Sequence, residues 1–314
     1  MLSLSQWRLL PIIVFSTAGL THAPTGIAQA LPDEFQIRDH INGLRSAALS
    51  QPLRATSIVA FEISSGSFHD SDSTPGLAHL AEHLILRHRV NGDQSVTLRD
   101  FLTLHGGRLD AKTTYENTRF YFEISNEALP TLLDSLRDVL TRPQLNDTLI
   151  ASEIASINDE FSFLKAKLDW RLRDALKAAT TTSHPFRRFQ AGNFQSFSSR
   201  SLSQLSSELS TFFREHYSAA NISLILITPH SSADQQDYIS RSFGRLPSSN
   251  LVSHSIAPLF DTSSLPLTLS IRENVGTPQL QLLIPANDIP REHVKNAIDY
   301  LAFWTEADGS GEEE

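Results

Sequence analysis

The stretch PGLAHLAEHLIL at residues 75–86 is apolar along most of its length, yet it carries two histidines and a glutamate. At about 100° per residue of helix, His79 and His83 lie about 40° apart, so both imidazoles can reach one ion. Glu82 lies beside them. The order His-x-x-Glu-His is the inverted form of a hydrolytic zinc motif, in which the histidines bind the metal and the glutamate transfers protons. The spacing therefore predicts a metal site at His79 and His83, with Glu82 as the general base.

The competing interpretation is a pair of hydrogen-bonded core histidines. The chain has 12 histidines, so a pair four residues apart is unremarkable by itself. However, three polar side chains on an otherwise apolar helix must all be satisfied in a dry environment. One divalent cation does this and core packing alone does not, so the pattern favours a metal site.

A hydrolytic zinc needs a third protein ligand from elsewhere in the chain. From Leu149 to about Leu172, apolar residues recur at steps of four and three, which predicts one long amphipathic helix. Glu160 falls at the border of its apolar stripe, whereas Asp159 falls on the opposite side and faces water. Glu160 is therefore the predicted third ligand. Glu153, two turns earlier on the same edge, is predicted to orient a histidine or Glu160.

The elements that must position these residues alternate irregularly between strands and helices, which favours an α+β fold over a doubly wound sheet. Asn42-Gly43 lies between two strand-like runs and predicts a hairpin. Pro75-Gly76 opens the histidine-bearing helix, with Ser73 or Thr74 as its predicted cap. Further strands are predicted at 56–63, 118–125 and 221–228, and further helices at 96–107, 129–143 and 235–247.

Composition limits the class of protein. A length of 314 residues allows one large domain or two modest ones. The net charge of −9 argues against a nucleic-acid-binding surface, which would need a basic face. The absence of cysteine excludes disulfides, thiolate metal ligands and a cysteine nucleophile.

Residues 1–30 are predicted to be a secretory signal peptide. Arg8 is the only charged side chain among them, a short apolar run follows it, and Ala28 and Ala30 supply a small-x-small exit. The run of about 12 apolar residues is too short to cross a bilayer, which needs about 20. We therefore expect a mature protein that is soluble and either secreted or periplasmic.

Beyond these local patterns, the sequence resembles the pitrilysin/insulysin family of zinc metallopeptidases, the inverzincins. The similarity runs from about Asn42 to Ser249, and it is closest to the pyrroloquinoline-quinone-biosynthesis branch of that family. The segments that carry it are GSFHDSDSTPGLAHLAEHLIL, LHGGRLDAKTTYENTRFYFEI, SEIASINDEF, HPFRRFQAGN and EHYSAANISLILI.

The resemblance implies a Zn²⁺ cofactor bound by His79, His83 and Glu160. It implies Glu82 as the catalytic base and Glu153 as a supporting residue behind the ligands. It also implies that the α+β fold is built on an antiparallel sheet covered by helices, and that the chain is a zinc metalloendopeptidase acting on peptides or small unfolded proteins.

In such enzymes the peptide substrate adds as a strand beside a segment that here holds Asp110, Ala111 and Thr113, so main-chain hydrogen bonds bind it with loose sequence demands. Asp110 departs from the family pattern, which has asparagine at this position. A carboxylate cannot donate a hydrogen bond and adds negative charge. We therefore expect a more basic peptide to be favoured.

The resemblance also implies a division into domains. A catalytic domain is expected at 31–247, a linker at 248–266 and the incomplete start of a second domain of the same kind at 267–314. Either a second chain completes the peptidase chamber, or the chain is a split or truncated product. The alternative function is a non-catalytic peptide-binding or scaffold subunit that needs a partner chain.

Overall fold

The computed structural model describes residues 35–90, 95–248, 256–261 and 263. The chain divides into two compact units: residues 29–171 with 188–254, and residues 1–28 with 172–187 and 255–314. The first unit contains a six-stranded sheet and the helices that carry the predicted metal ligands. In the second unit, the main-chain N–H of Thr181 donates to the carbonyl of Leu259 at 2.9 Å.

The strands and helices follow one another without regular alternation. In chain order they are β1 (Gln36–Asp39), β2 (Arg45–Ser50), β3 (Thr56–Ile63), α1 (Leu77–Leu86), α2 (Leu98–Leu104), β4 (Arg108–Thr113), β5 (Thr118–Ser125), α3 (Leu129–Thr141), α4 (Asp147–Leu164), α5 (Leu168–Leu176), α6 (Phe194–Phe197), α7 (Leu202–His216), β6 (Ile222–Thr228) and α8 (Ser232–Arg241).

The strands are ordered β1-β2-β6-β3-β5-β4 across the sheet, so β4 lies at one edge. Neighbouring strands are antiparallel, except that β2 and β6 run parallel. The sheet is therefore mixed, whereas the family resemblance implied an antiparallel one. The α+β prediction of a sheet covered by helices is confirmed, and so is the hairpin at Asn42-Gly43, which joins β1 to β2.

The sheet buries one face because its strands alternate apolar and polar side chains. Phe61 of β3 stacks on Phe120 of β5 with ring centroids 4.9 Å apart. Both belong to one hydrophobic core with Phe122 and with buried leucines of α1, such as Leu80 and Leu84. Helix α1 is therefore packed into the core, and its polar residues need partners there.

The start of α1 differs from the predicted serine or threonine cap. Its N-cap is Gly76, in the left-handed region at φ 97°, and no cap side chain satisfies the first N–H groups. Asp70 does so from outside the helix, since its carboxylate accepts from the N–H of Gly76 at 2.7 Å and of Ala78 at 2.8 Å. A carboxylate here also complements the positive end of the helix dipole.

Helix α4 is shorter than the predicted helix that ran from Leu149 to about Leu172. It begins at Asp147, with Asn146 accepting from the N–H of Leu149, and it ends at Leu164. After Lys165, the N–H groups of Ala166 and Lys167 bond three residues back, to the carbonyls of Phe163 at 3.3 Å and Leu164 at 2.9 Å. This tighter turn breaks the helix before Leu168, which starts α5.

Several predictions from the sequence lie outside the described residues. These are the signal peptide at 1–30, most of the linker at 248–266 and the start of a second domain at 267–314. Within the residues that the structure describes, none of the helices is both long enough and apolar enough to span a membrane.

Candidate metal centre

His79 and His83 lie one turn apart on α1, and Glu160 reaches them from α4. The Oε2 atom of Glu160 is 3.7 Å from His79 Nε2 and 3.6 Å from His83 Nε2. One nitrogen of each ring and one carboxylate oxygen lie within 4.8 Å of one another. Ligand atoms about 2.0–2.1 Å from a tetrahedral zinc are about 3.3 Å apart. The three donors are therefore spaced much as a bound divalent cation requires.

The second nitrogen of each imidazole is already bonded within the chain. His79 Nδ1 is 2.7 Å from the carbonyl oxygen of Ala191, which can only accept, so Nδ1 must donate. His83 Nδ1 is 3.2 Å from Glu153 Oε2, and the other oxygen of Glu153 pairs with Arg87 Nε at 3.0 Å. Both Nε2 atoms are thereby turned toward Glu160. Such partners fix the ring orientation of a metal-binding histidine.

The charges of the cluster depend on one another. Burial alone would lower the pKa of His83, but hydrogen bonds with Glu153 and Glu160 outweigh it and raise that pKa to about 9. The hydrogen bond with His83 lowers the pKa of Glu160 despite its partial burial. Burial would raise the pKa of Glu153, but His83 and the Arg87 guanidinium lower it. Both carboxylates are therefore ionised at neutral pH, as cation ligands must be.

Glu82 lies outside this set of three donors. Glu82 is only 6 % exposed. The hydroxyl of Thr113, on β4, donates to Glu82 Oε2 at 2.6 Å. Glu82 is thus a buried carboxylate next to His83 in the chain, bonded to a neighbouring strand.

The chain is similar to known peptidases over the region that holds this cluster. The family model described as insulinase (peptidase family M16) matches residues 45–191. That range contains both histidines, Glu82, Glu153 and Glu160. The crystal structure of pitrilysin superposes with a TM-score of 0.67 at 25% sequence identity, over 74% of this chain and 25% of that one. Residues 45–191 of the chain are thus similar to the insulinase family.

Curated relatives of this chain are peptidases by name. Protease 3 of Escherichia coli (strain K12) is 27% identical over 206 residues, which are 66% of this chain and 21% of the relative. The peroxisomal insulin-degrading enzyme-like 1 of Arabidopsis thaliana is 27% identical over 67% of this chain and 22% of its own length. The insulin-degrading enzyme of Mus musculus is 25% identical over 69% of this chain and 22% of its own length. The chain thus spans about a fifth of the length of these relatives.

The three predicted substrate-contacting residues do not share a face of β4. Asp110 pairs with Tyr121 and is exposed on the outer face of the sheet, away from α1. Ala111 and Thr113 are partly buried on the other face, and Thr113 contacts Glu82. Any contact between Asp110 and a peptide would therefore be made on the face opposite the metal cluster.

Sequence reasoning missed three parts of this candidate site. The carbonyl of Ala191 had no signal, because every residue has a carbonyl and its neighbours in space are set by packing. Asp70 lies six residues before Gly76, beyond the usual reach of a capping motif. The third part is a close backbone contact, since a Cβ added to Gly76 would lie 2.4 Å from Gly192 Cα. The glycines at 76 and 192 were the available sequence signal of this close backbone contact.

Proposed function

We propose that this domain is a zinc-dependent metalloendopeptidase that hydrolyses peptides or small unfolded proteins. The observation that carries the proposal is the convergence of His79, His83 and Glu160 on one point, with the buried carboxylate of Glu82 next to them. The match of residues 45–191 to the insulinase family model supports the same activity.

Zn²⁺ is the proposed cofactor, bound through the Nε2 atoms of His79 and His83 and a carboxylate oxygen of Glu160. Two imidazoles and a carboxylate are a donor set of catalytic zinc, which leaves a position for water. When bound, the ion would lower the pKa of water and polarise a peptide carbonyl. The Glu160 side chain is 47% exposed, so solvent reaches this side of the cluster.

Glu82 is the proposed general base and acid. It would take the proton of the attacking water and return it to the nitrogen of the departing amine. The role of Glu153 would be to hold His83 through Nδ1, and Ala191 would hold His79 in the same way. Neither supporting group would need to touch the substrate.

The proposed substrate site is the outer edge of β4, where a peptide would add as a further strand and main-chain hydrogen bonds would provide most of the affinity. Ala111 faces the side of the metal cluster and Asp110 the other side, so alternate peptide side chains would meet different surfaces. Asp110 would favour a basic peptide side chain. The signal-like residues 1–30 support a secreted or periplasmic location.

Metal content tests the proposal with a matched pair of neighbouring carboxylates. Glu160→Gln removes a proposed ligand, whereas Asp159→Asn changes the adjacent exposed carboxylate. We expect Glu160→Gln to lower zinc affinity by more than the roughly 100-fold typical of supporting residues, and Asp159→Asn to leave it within about twofold of wild type. Equal zinc content in both variants after dialysis would refute the assignment of Glu160.

Peptide cleavage tests the role of Glu82 separately. Glu82→Gln should retain zinc and lose at least about 100-fold in kcat on a fluorogenic peptide. Loss of zinc together with activity would instead make Glu82 a ligand.

A further inference from the structure

Thr113 is the last residue of β4, and its side chain points from the sheet toward α1. Its Oγ1 is 2.6 Å from Glu82 Oε2 and 3.4 Å from Oγ1 of Thr118, its partner on β5. The bond joins an edge strand to the helix that carries the proposed ligands. Glu82 is thus held from outside its own helix.

The hydrogen atoms of these hydroxyls can be assigned from what each partner accepts. A threonine hydroxyl has one hydrogen, and an ionised carboxylate can only accept. The hydrogen of Thr113 therefore goes to Glu82. The hydrogen of Thr118 goes to the carbonyl of Ser65, at 2.9 Å. The hydroxyl of Thr113 has no hydrogen left to donate to a peptide.

The main-chain carbonyl of Thr113 is also engaged within the protein. Its carbonyl oxygen accepts from the side-chain amide of Gln190 at 3.2 Å. A peptide lying along β4 would have to compete with both Gln190 and Glu82 for the polar groups of this residue. This is not the position of a substrate-binding threonine.

Glu82 needs such a partner for a physical reason. An ionised carboxylate that is only 6 % exposed is costly unless donors compensate for the lost water. A short hydrogen bond to a charged acceptor is also among the stronger and more directional ones. The bond from β4 therefore selects one rotamer of Glu82 among those that α1 allows.

We propose that Thr113 is a positioning residue that holds the carboxylate of Glu82 for proton transfer, and that it does not contact the substrate. The proposal rests on the proposed peptidase function. It replaces the substrate-binding role that the family resemblance implied for Thr113, and it leaves that role with Ala111 and Asp110.

The test compares Thr113→Val, which keeps the shape but loses the hydroxyl, with Thr113→Ser, which keeps the hydroxyl. The matched control is Thr56→Val, because Thr56 donates to Glu123 Oε1 over the same distance, 2.6 Å, on the outer face of the sheet. Thr113→Ala serves as a second hydroxyl-free variant in case valine perturbs folding. Zinc affinity should stay within about twofold of wild type in all of them, because no donor to the metal changes.

The first readout is steady-state cleavage of a fluorogenic peptide. Misplacing a reacting group by about 1 Å can cost about 100-fold in rate, so kcat should fall about 10–100-fold in Thr113→Val while KM stays within about twofold. Thr113→Ser should recover most of kcat, and Thr56→Val should match wild type. A rise in KM with unchanged kcat would show that Thr113 binds the substrate and would overturn the proposal.

The second readout does not depend on activity. Crystal structures of the zinc-loaded variants should show the Glu82 carboxylate displaced in Thr113→Val and Thr113→Ala and in place in Thr113→Ser. An undisplaced Glu82 in both hydroxyl-free variants would refute the proposal. If Glu82 is displaced but wild type cleaves no peptide, the positioning role stands and the proposed peptidase function fails.

Discussion

Replacing Gly76 by alanine should weaken zinc binding, although its side chain would touch none of the proposed ligands. The added Cβ would lie 2.4 Å from Gly192 Cα and 2.7 Å from Gly192 N. Non-bonded carbon atoms approach to about 3.5 Å, so one of the two segments must move by about 1 Å. Because these are backbone atoms, no side-chain rotation can relieve the clash.

The movement reaches the metal centre through a single residue. Ala191 precedes Gly192, and its carbonyl oxygen accepts from His79 Nδ1 at 2.7 Å. A shift of about 1 Å would lengthen this contact beyond the roughly 3.2 Å at which such bonds are made. Loss of an orienting partner typically weakens metal binding by about 10–100-fold, or about 1.4–2.7 kcal/mol. We expect an effect of that size in Gly76→Ala.

The control is Gly106→Ala, because Gly106 also has a positive φ, 64°, but a Cβ there would have nothing within 4 Å. Both variants carry the cost of about 1–2 kcal/mol for a left-handed non-glycine residue, but only Gly76→Ala disturbs the neighbouring segment. Zinc affinity is measured by competition with a chromogenic chelator, and near-UV circular dichroism checks the fold. A folded Gly76→Ala variant with wild-type zinc affinity would refute the reasoning.

Two further predictions concern pH. The hydrogen bonds of His83 with carboxylates outweigh its burial and raise its pKa to about 9, so zinc must displace a proton from the metal-free chain. Calorimetry in several buffers at pH 7.5 should therefore find about one proton released on zinc binding. Zinc affinity should rise by up to about tenfold per pH unit toward pH 9. Affinity that is flat over this range would contradict this. Burial raises the pKa of Asp70 from 3.8 to about 7, even though the N–H groups of Ala78 and Gly76 favour its ionised form. The folded chain therefore holds a proton that the unfolded chain releases above about pH 4. Stability from Asp70 is therefore greatest below pH 4 and is lost as pH rises through 7, and Asp70→Asn should flatten the fall in Tm between pH 5 and 8; an unchanged slope would count against it.

The choice between Glu160 and Asp159 illustrates how far helical periodicity reaches. The two are adjacent in sequence, and the period of 3.6 residues places them about 100° apart around α4. The structure brings Glu160 to the histidines, as its place at the border of the apolar stripe predicted. The predicted end of the same helix was wrong by several residues. The turn after Leu164 depends on local hydrogen bonds, which the regular spacing of apolar residues does not encode.

The strand containing Thr113 shows what periodicity cannot determine. The sequence resemblance marked this segment for substrate binding, and alternation divides it between two faces of the sheet. Which face meets Glu82 follows only from the pairing of β4 with β5 and the packing of α1 against the sheet. A shift of register by one residue would turn Thr113 away from Glu82 and put Asp110 on the face of the sheet that packs against α1.

The sequence by itself determined the relations within one helix or strand: the pair His79 and His83, the adjacent Glu82 and the orientation of Glu160. A fixed angle per residue makes such relations calculable without any partner element. The tertiary structure alone decided the partners across long separations, such as the carbonyl of Ala191 that lies 112 positions beyond His79. The physical reason is that a main-chain carbonyl has no residue type, so only the packing of one backbone against another determines which side chain it meets.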